Sequence, residues 1–187
     1  LLAFYLAIPP PEIRLRYSHM GKPFLGSDLR GPGIQFSISH SGGIVLYAFT
    51  MDSFIGVDLQ RIRNQRPLDQ VAKRFFSERE NMILNRLSAD RRQCEFFSLW
   101  SRKEALGKAL GRGIMDVLPV DVSSDAPVQQ SLTSHSEQEN IWFWLQNFEI
   151  VPGYSCAVAV SIPDSAITIR SLHSEFGVLF DTVTTGE

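Results

Sequence analysis

A long helical stretch between two groups of strand-like segments sets the fold class of this 187-residue chain. Ser88 suits an N-cap, apolar residues recur at helical spacing from Phe96 to Leu110, and Gly111 is a helix-ending residue. On both sides of this stretch, apolar and polar residues alternate as they do in half-buried strands. The strand-like segments are residues 12–17, 34–41, 44–49 and 54–60 before the helix, and 117–123, 141–150, 155–162 and 166–171 after it. The order strands, helices, strands predicts an α+β protein.

A tight turn connects two of these segments. Gly42 and Gly43 are typical of the two-residue loop of a hairpin, here between segments 34–41 and 44–49. Segment 54–60 follows after a few residues. The three segments together predict a three-stranded antiparallel meander.

The remaining helix-capping and loop signals suggest that the chain has two similar halves. Ser77 and Glu80 have the spacing of a capping box at the start of a shorter helix, and the polar residues 124–140 are expected to form a loop. Each half of the chain then offers helices and a small antiparallel sheet. We therefore expect two similar lobes, residues 1–66 and 67–187, that form one functional unit with the active site in the cleft between them.

Net charge and the start of the chain narrow the function classes. The formal net charge is −2, so no excess of basic residues points to nucleic acid as the main partner. The apolar run at the start is too short to span a bilayer and lacks the basic residues of a signal peptide, so no membrane partner is expected. Because the chain opens inside this run without Met, we expect the first lobe to be incomplete at its start.

The cysteines point to a reducing compartment. Cys94 and Cys156 lie far apart in apolar segments, and Cys and His residues show no zinc-binding spacing. We therefore expect buried thiols without a disulfide, and a cytoplasmic protein. Because two halves of one chain would complete the active site, we expect the protein to act as a monomer.

Two separated groups of residues carry the chemistry. In segment 54–60, a period of two places Asp58 and Gln60 on the same face of a strand. In the long helix, Glu104 lies off the apolar stripe, and Lys108 lies one turn beyond it. An acid and an amide on a strand, beside an acid and a base on a helix, would hold a divalent cation and an anion together. This pattern favours phosphate-transfer chemistry.

Five motifs in sequence resemble those of one enzyme family. They are Gly21-Lys22-Pro23, Ser37-Ile38-Ser39-His40-Ser41, Gly56-Val57-Asp58, Arg74-Phe75-Phe76-Ser77 and Trp100-Ser101-Arg102-Lys103-Glu104-Ala105. Their order and spacing over residues 21–105 resemble those of the 4′-phosphopantetheinyl transferases, in particular the monomeric two-lobed type that acts on peptide and polyketide synthetases and acyl carrier proteins. Each motif alone is weak, whereas the five together are specific.

The resemblance implies a reaction and its ligands. Such enzymes transfer the 4′-phosphopantetheine arm of coenzyme A to a serine of an apo-carrier protein and release 3′,5′-ADP. Mg²⁺ would be held by Asp58 and Glu104, with Gln60 as a ligand where most relatives carry a further acid. The carrier would belong to fatty acid, secondary metabolite or lysine biosynthesis. The implied coenzyme A contacts are Lys22, Ser39, His40, Lys103 and Lys108.

Elementary chemistry agrees with these roles. A serine hydroxyl is a poor nucleophile at neutral pH, so a carboxylate must take its proton, and Glu104 is the candidate base. Lys108 would stabilise or protonate the departing phosphate, and Asp58 would hold the metal that neutralises the pyrophosphate. Because the Gln60 amide brings no charge, we expect weaker metal binding than with an acid at this position.

Several of these residues also have ordinary structural explanations. His40 shares a strand face with Ile38 and could be a hydrogen-bonded core histidine, and Lys103 could extend over the core with its ammonium in solvent. Phe75 and Phe76 could be core residues or part of the surface that receives the carrier. The basic residues Arg61, Arg63, Arg66, Lys73 and Arg74 could be a solvated face or a docking patch for an acidic carrier.

Two other functions stay open at this point. A catalytically impaired binding module for coenzyme A or a carrier protein would explain the amide of Gln60, and a Mg²⁺-dependent hydrolase of nucleotides or pyrophosphates would use the same two acids. Formation of holo-carrier separates the transferase from the binding module. Release of 3′,5′-ADP only in the presence of a carrier separates it from the hydrolase.

Overall fold

The computed structural model describes residues 1–26, 33–63, 68–134, 137–161, 169–175 and 178–184. Helices and strands both occur in these residues, as expected of an α+β protein. The helices are α1 (Leu2–Leu6), α2 (Leu68–Phe75), α3 (Glu78–Asn85), α4 (Ala89–Leu110) and α5 (Ile114–Val117). The strands are β1 (Leu15–Tyr17), β2 (Pro23–Leu25), β3 (Ile34–Ser41), β4 (Ile44–Met51), β5 (Ile55–Arg61), β6 (Val128–Ser134), β7 (Glu137–Phe148), β8 (Tyr154–Val160), β9 (Ile169–Glu175) and β10 (Val178–Thr184).

All strand pairs in these residues are antiparallel. The largest sheet has the order β5-β8-β7-β6, and β1 with β2, β3 with β4, and β9 with β10 form separate pairs. The β3–β4 hairpin turns at Gly42 and Gly43. Their φ angles of 55° and 87° lie in the left-handed region, which glycine adopts more readily than other residues. The predicted hairpin and the α+β class are confirmed.

The predicted three-stranded meander is wrong, because β5 leaves the hairpin and joins the larger sheet. The chain turns after β4 at Asp52, whose φ is 49°, and β5 then pairs with β8 along its whole length. Ile55 through Leu59 are all buried, which requires cover on both faces of the strand. β5 therefore precedes residue 66 in the chain but shares a sheet with strands beyond it, and the division into two lobes at that point stays a prediction.

Helix α4 packs against β5 and β8 at very short range. A Cβ atom at Gly56 would lie 2.0 Å from the carbonyl oxygen of Ala105 and 2.4 Å from the backbone nitrogen of Ala109. Because any side chain at this position would push the helix away, the glycine allows the α4 backbone to lie directly on the strand. This contact brings the second half of α4 beside Asp58, two residues further along β5.

The helix ends agree with the capping residues in the sequence. The Ser77 hydroxyl accepts a hydrogen bond from the Glu80 N–H at 3.2 Å, and the Ser77 N–H donates to the Glu80 carboxylate at 2.8 Å, which confirms the capping box. Ser88 lies at the N-cap position of α4, and Gly111 ends this helix with a φ of 66°. None of the helices in the described ranges combines the length and hydropathy needed to cross a bilayer.

Two predictions for the chain beyond α4 are wrong. Residues 117–123 are not a strand, because Arg102 and Lys103 of α4 donate hydrogen bonds to carbonyl groups of this segment, which would otherwise pair with a neighbouring strand. Residues 124–140 are not a loop throughout, since they contain β6 and the start of β7. Part of the predicted strand 166–171 lies outside the described residues, and β9 begins at Ile169.

A row of serine hydroxyls joins β3 to the edge of β5 that faces away from β8. Each hydroxyl accepts a hydrogen bond from a backbone N–H of β5. The pairs are Ser37 with Val57 at 3.1 Å, Ser39 with Leu59 at 3.1 Å and Ser41 with Arg61 at 3.0 Å. We call this contact the serine joint. It holds the β3–β4 hairpin against the larger sheet at the position of Asp58.

Candidate functional site

Asp58 lies at the centre of the site and is almost fully buried. Its Oδ1 accepts hydrogen bonds from the Ser39 hydroxyl at 3.0 Å and from Lys108 Nζ at 2.7 Å. Its Oδ2 accepts one from the Gln60 side-chain amide at 3.0 Å. The strand and helix residues that the sequence singled out therefore meet around a single carboxylate.

Glu104 lies one turn before Lys108 on α4 and is half-buried. Burial raises the pKa of the Glu104 carboxyl, the charge of Asp58 raises it further, and the charge of Lys108 lowers it. The two acids are therefore close enough to repel each other. One lysine lies beside two acids, so the cluster carries excess negative charge when both are ionised.

Lys103 does not belong to this cluster, and we remove it from the proposed coenzyme A contacts. Its side chain is fully buried, with Nζ 2.8 Å from the Glu80 carboxylate and 2.7 Å from the Leu118 carbonyl oxygen, to which it donates. Burial lowers the pKa of Lys103, while Glu80 opposes that change. Successive helical residues point about 100° apart, so Lys103 and Glu104 face different surroundings. The alternative of an ammonium in solvent is also wrong.

Lys22 joins the end of α4 to the start of β5. Its Nζ donates to the carbonyl oxygens of Ile55 at 3.1 Å and Ala109 at 3.4 Å. Burial lowers the pKa of Lys22 to about 8. The lysine thus satisfies a carbonyl group at the C-terminal end of α4, where helical partners are lacking.

His40 is exposed, so the alternative of a core histidine is wrong. The face of β3 that carries Ile34 and Phe36 is buried at its start, but it opens to solvent at the hairpin end where His40 lies. Ser39, on the opposite face, is 6% exposed and belongs to the serine joint.

The aromatic and basic residues before α4 divide between core and surface. Phe76 is buried and stacks on Phe96 with ring centroids 5.1 Å apart, whereas Phe75 is half-buried beneath the guanidinium of Arg74. Phe76 is therefore a core residue. The basic residues Arg61, Arg63, Lys73 and Arg74 are exposed, and Arg66 lies outside the described residues.

Comparisons with known proteins identify the family of this chain. The family model of the 4′-phosphopantetheinyl transferase superfamily matches residues 54–159. The chain belongs to this superfamily. Three similar relatives are all 4′-phosphopantetheinyl transferases by name: HetI of Nostoc sp., Sfp of Bacillus subtilis and psf-1 of Bacillus pumilus.

The identities to these relatives are moderate and extend over most of the chain. HetI is 33% identical over 87% of this chain and 65% of its own length. Sfp is 35% identical over 82% of this chain and 65% of its own length. For psf-1 the identity is 31%, over 90% of this chain and 70% of the relative. The chain therefore spans about two thirds of the length of these transferases.

The range that matches the 4′-phosphopantetheinyl transferase model contains Asp58, Gln60, Glu104 and Lys108. Among the described residues, no group of three or more His, Cys, Asp or Glu side chains is placed to hold a metal ion. Gln60 lies next to Asp58, to which its amide donates, but it is not an acid and does not count toward such a group.

Sequence reasoning missed two residues that support the site. Glu80 was recognised as a capping residue, but it also pairs with Lys103 and accepts a hydrogen bond from the Val122 N–H at 3.0 Å. Ser37 was seen only as part of a motif, although three serines at alternate positions of one strand are a visible signal of a polar face. No local signal identifies the partner of a buried glutamate.

Proposed function

We propose that this chain transfers the 4′-phosphopantetheine arm of coenzyme A to a serine of an apo-carrier protein, with release of 3′,5′-ADP. Superfamily membership supports the reaction class. The observation that supports this site is the meeting of Asp58 and Lys108 at 2.7 Å, with Glu104 near enough to be affected by both charges. Groups that neutralise the charge of a pyrophosphate favour attack at its phosphorus.

The residues fit Mg²⁺ held by two carboxylates and an amide. Burial raises the pKa of Glu104 and the charge of Asp58 raises it further, and a divalent cation between the two acids would relieve their repulsion. Asp58, Glu104 and Gln60 offer the oxygen atoms that Mg²⁺ prefers. The bound cation would neutralise charge on the pyrophosphate of coenzyme A and on the transition state.

Glu104 and Lys108 perform the proton and charge steps in this proposal. The carrier serine oxygen forms a bond to the β-phosphorus of coenzyme A, and the bond from that phosphorus to the oxygen of the 3′,5′-ADP leaving group breaks. Glu104 takes the serine proton, because a carboxylate beside the attacking hydroxyl can act as a general base. Lys108 donates to the departing phosphate, which requires it to release Asp58.

The proposed coenzyme A contacts now differ in their support. Lys108 lies in the site, and His40 is exposed beside the serine joint. Lys22 is half-buried at the end of α4, and an approaching phosphate would offer it a stronger partner than the two carbonyl groups.

The carrier is proposed to dock on the basic residues beside the site. Arg61, Arg63, Lys73 and Arg74 are exposed and would complement an acidic carrier. The net charge of −2 gives no support to nucleic acid as a partner. The free thiols of Cys94 and Cys156 support a cytoplasmic location, and we further propose that the protein acts as a monomer.

Incubation with coenzyme A, Mg²⁺ and a panel of apo-carriers, followed by mass spectrometry, tests this function. We expect the mass of one 4′-phosphopantetheine group to be added to at least one carrier. Glu104→Ala should abolish the transfer, whereas Glu95→Ala, which removes another acid from α4, should not. Coenzyme A binding without holo-carrier would favour the binding module, and release of 3′,5′-ADP without a carrier would favour the hydrolase.

A further inference from the structure

The serine joint uses side chains where a sheet would use a neighbouring strand. In a strand, the N–H groups of alternate residues point to the same edge, so hydroxyls at alternate positions of β3 match those of β5. Ser37 and Ser41 each accept one such N–H. Among the described residues, the side-chain hydrogen bonds of Ser37 and Ser41 end at the β5 backbone. Ser39, which lies between them on β3, also forms hydrogen bonds with the side chains of Asp58 and Lys108.

All hydrogen-bonding positions of the Ser39 hydroxyl are occupied. It accepts from the Leu59 N–H at 3.1 Å and from Lys108 Nζ at 2.9 Å, and a hydroxyl has two acceptor positions. Its single hydrogen is therefore left for Asp58 Oδ1 at 3.0 Å. The Leu59 N–H and the Lys108 ammonium can only donate to Ser39, so the Ser39 hydroxyl must donate to Asp58.

We propose that Ser39 is a positioning residue for Asp58 and Lys108, a role beyond the coenzyme A contact that the resemblance implied. Its hydroxyl fixes which oxygen of Asp58 faces β3 and which faces Gln60. The serine joint anchors that hydroxyl to the β5 backbone, so the orientation of the carboxylate depends on the docking of the hairpin. This inference rests on the proposed function, in which Asp58 holds a divalent cation.

The pair Ser39→Ala and Ser37→Ala tests the inference. Both serines are buried, at 6% and 3% exposure, and both accept a β5 N–H, so both variants should lose some thermal stability. Only Ser39→Ala also frees Asp58 and Lys108. Partners that orient a metal ligand typically change metal affinity or activity by about tenfold or more when removed. We therefore expect Ser39→Ala to weaken Mn²⁺ binding about tenfold in the presence of coenzyme A, and Ser37→Ala to leave it within about twofold.

Mn²⁺ binding is measured from the electron paramagnetic resonance signal of the free ion, and steady-state kinetics supply a second readout. Ser39→Ala should lower kcat with little change in KM for the carrier. Equal effects of the two variants on Mn²⁺ affinity, a change confined to KM for coenzyme A, or no Mn²⁺ binding by the wild type would each overturn the inference.

The Mn²⁺ titration requires no turnover. It therefore tests Ser39 even if the wild type forms no holo-carrier, which is the result that contradicts the proposed function instead. If Ser39→Ala does not fold, Ser39→Cys replaces it, because a thiol is similar in size and only a weak donor. The same loss of Mn²⁺ affinity is expected, and wild-type affinity in that variant would contradict a positioning role.

Discussion

The charges of Asp58 and Lys108 influence the protonation of Glu104. Asp58 and Lys108 form a close ion pair, and Glu104 next to them lacks a cation of its own within the described residues. Its burial and the charge of Asp58 both favour the protonated form. The glutamate that is proposed as the catalytic base is thus held in surroundings that cost stability when it ionises.

Glu104→Gln should abolish transfer and stabilise the fold at neutral pH in the presence of a chelator. Because the pKa of Glu104 is raised in the folded state, the folded protein keeps a proton that the unfolded chain has released, and the wild type loses stability as pH rises from 4.5 through the folded pKa. The variant has no such loss. Thermal unfolding from pH 4 to 8 should show a gain that grows with pH, and Glu95→Gln is the control. A gain of the same size at every pH would contradict this explanation.

Gln60→Glu should lower the Mg²⁺ concentration needed for half-maximal activity. The added carboxylate supplies charge beside Asp58, where the amide supplies none, and affinity for hard cations rises with the number of charged ligands. We expect a change on the order of tenfold in a Mg²⁺ titration of holo-carrier formation. An unchanged titration would show that the side chain at position 60 is not a ligand.

At the scale of helices and strands, the site depends on how closely α4 lies on β5. Gly56 permits that contact, and the buried pair of Lys103 and Glu80 ties α4 to α3 and to the segment after α5. The two features act on different sides of the helix. Each can be tested by one substitution.

Gly56→Ala should destabilise the protein by about 3 kcal/mol and reduce transfer, because the new methyl group would meet the α4 backbone at 2.0 Å and the helix would have to move. Chemical denaturation and the holo-carrier assay measure the two effects. Gly107→Ala is the matched control on α4, where the nearest atom is the Arg112 carbonyl oxygen at 3.3 Å. Equal stability losses in both variants would contradict the proposed role of the close contact.

Lys103→Met should destabilise the protein by about 3–5 kcal/mol, since it leaves the carboxylate of Glu80 buried without its partner. Glu80→Gln should then lower the free energy of unfolding less in the Lys103→Met variant than in the wild type. Asp125→Ala breaks the Arg102 ion pair at an aspartate that is 95% exposed, and it should cost at most about 1 kcal/mol. Denaturant titrations of the single and double variants give these values, and additive losses would show that Lys103 and Glu80 do not interact.

At the scale of the whole molecule, two sheets meet at the site and are held by side-chain hydroxyls. β5 contributes its backbone to β8 on one edge and to the serine joint on the other. Because Asp58 lies between these contacts, neither sheet alone can form its surroundings. The integrity of the larger sheet can be followed through a buried thiol.

Cys156 of β8 should react with a thiol reagent only after global unfolding, whereas Cys94 should react in the native protein. Cys156 is 1% exposed opposite Leu59, and burial raises its thiol pKa to about 12. Cys94 is exposed, so the expectation that both thiols are buried is wrong for this residue. A native protein should therefore consume one equivalent of reagent quickly and a second only with denaturant. Cys94→Ser is the control that should remove the fast phase, and fast labelling of that variant would show that the sheet opens locally.

Local features of the fold were predictable because they depend on neighbouring residues. The capping box at Ser77, the glycine that ends α4 and the Gly42–Gly43 hairpin each follow from backbone hydrogen bonding or φ preference at one place in the chain. The shared face of Asp58 and Gln60 follows from the period of a strand. The prediction of a loop over 124–140 was wrong, because a polar segment can form an exposed hairpin as well as a solvated loop.

The amino-acid sequence by itself determined the superfamily and singled out the acids, amide and lysine of the candidate site, since these depend on residue types at fixed spacing. Only the tertiary structure decided that β5 pairs with β8, that Lys103 turns to Glu80, and that Ser39 holds Asp58. Each of these contacts joins segments far apart in the chain. Burial and charge pairing select such partners, and neither is visible in the spacing of residues along one strand or helix.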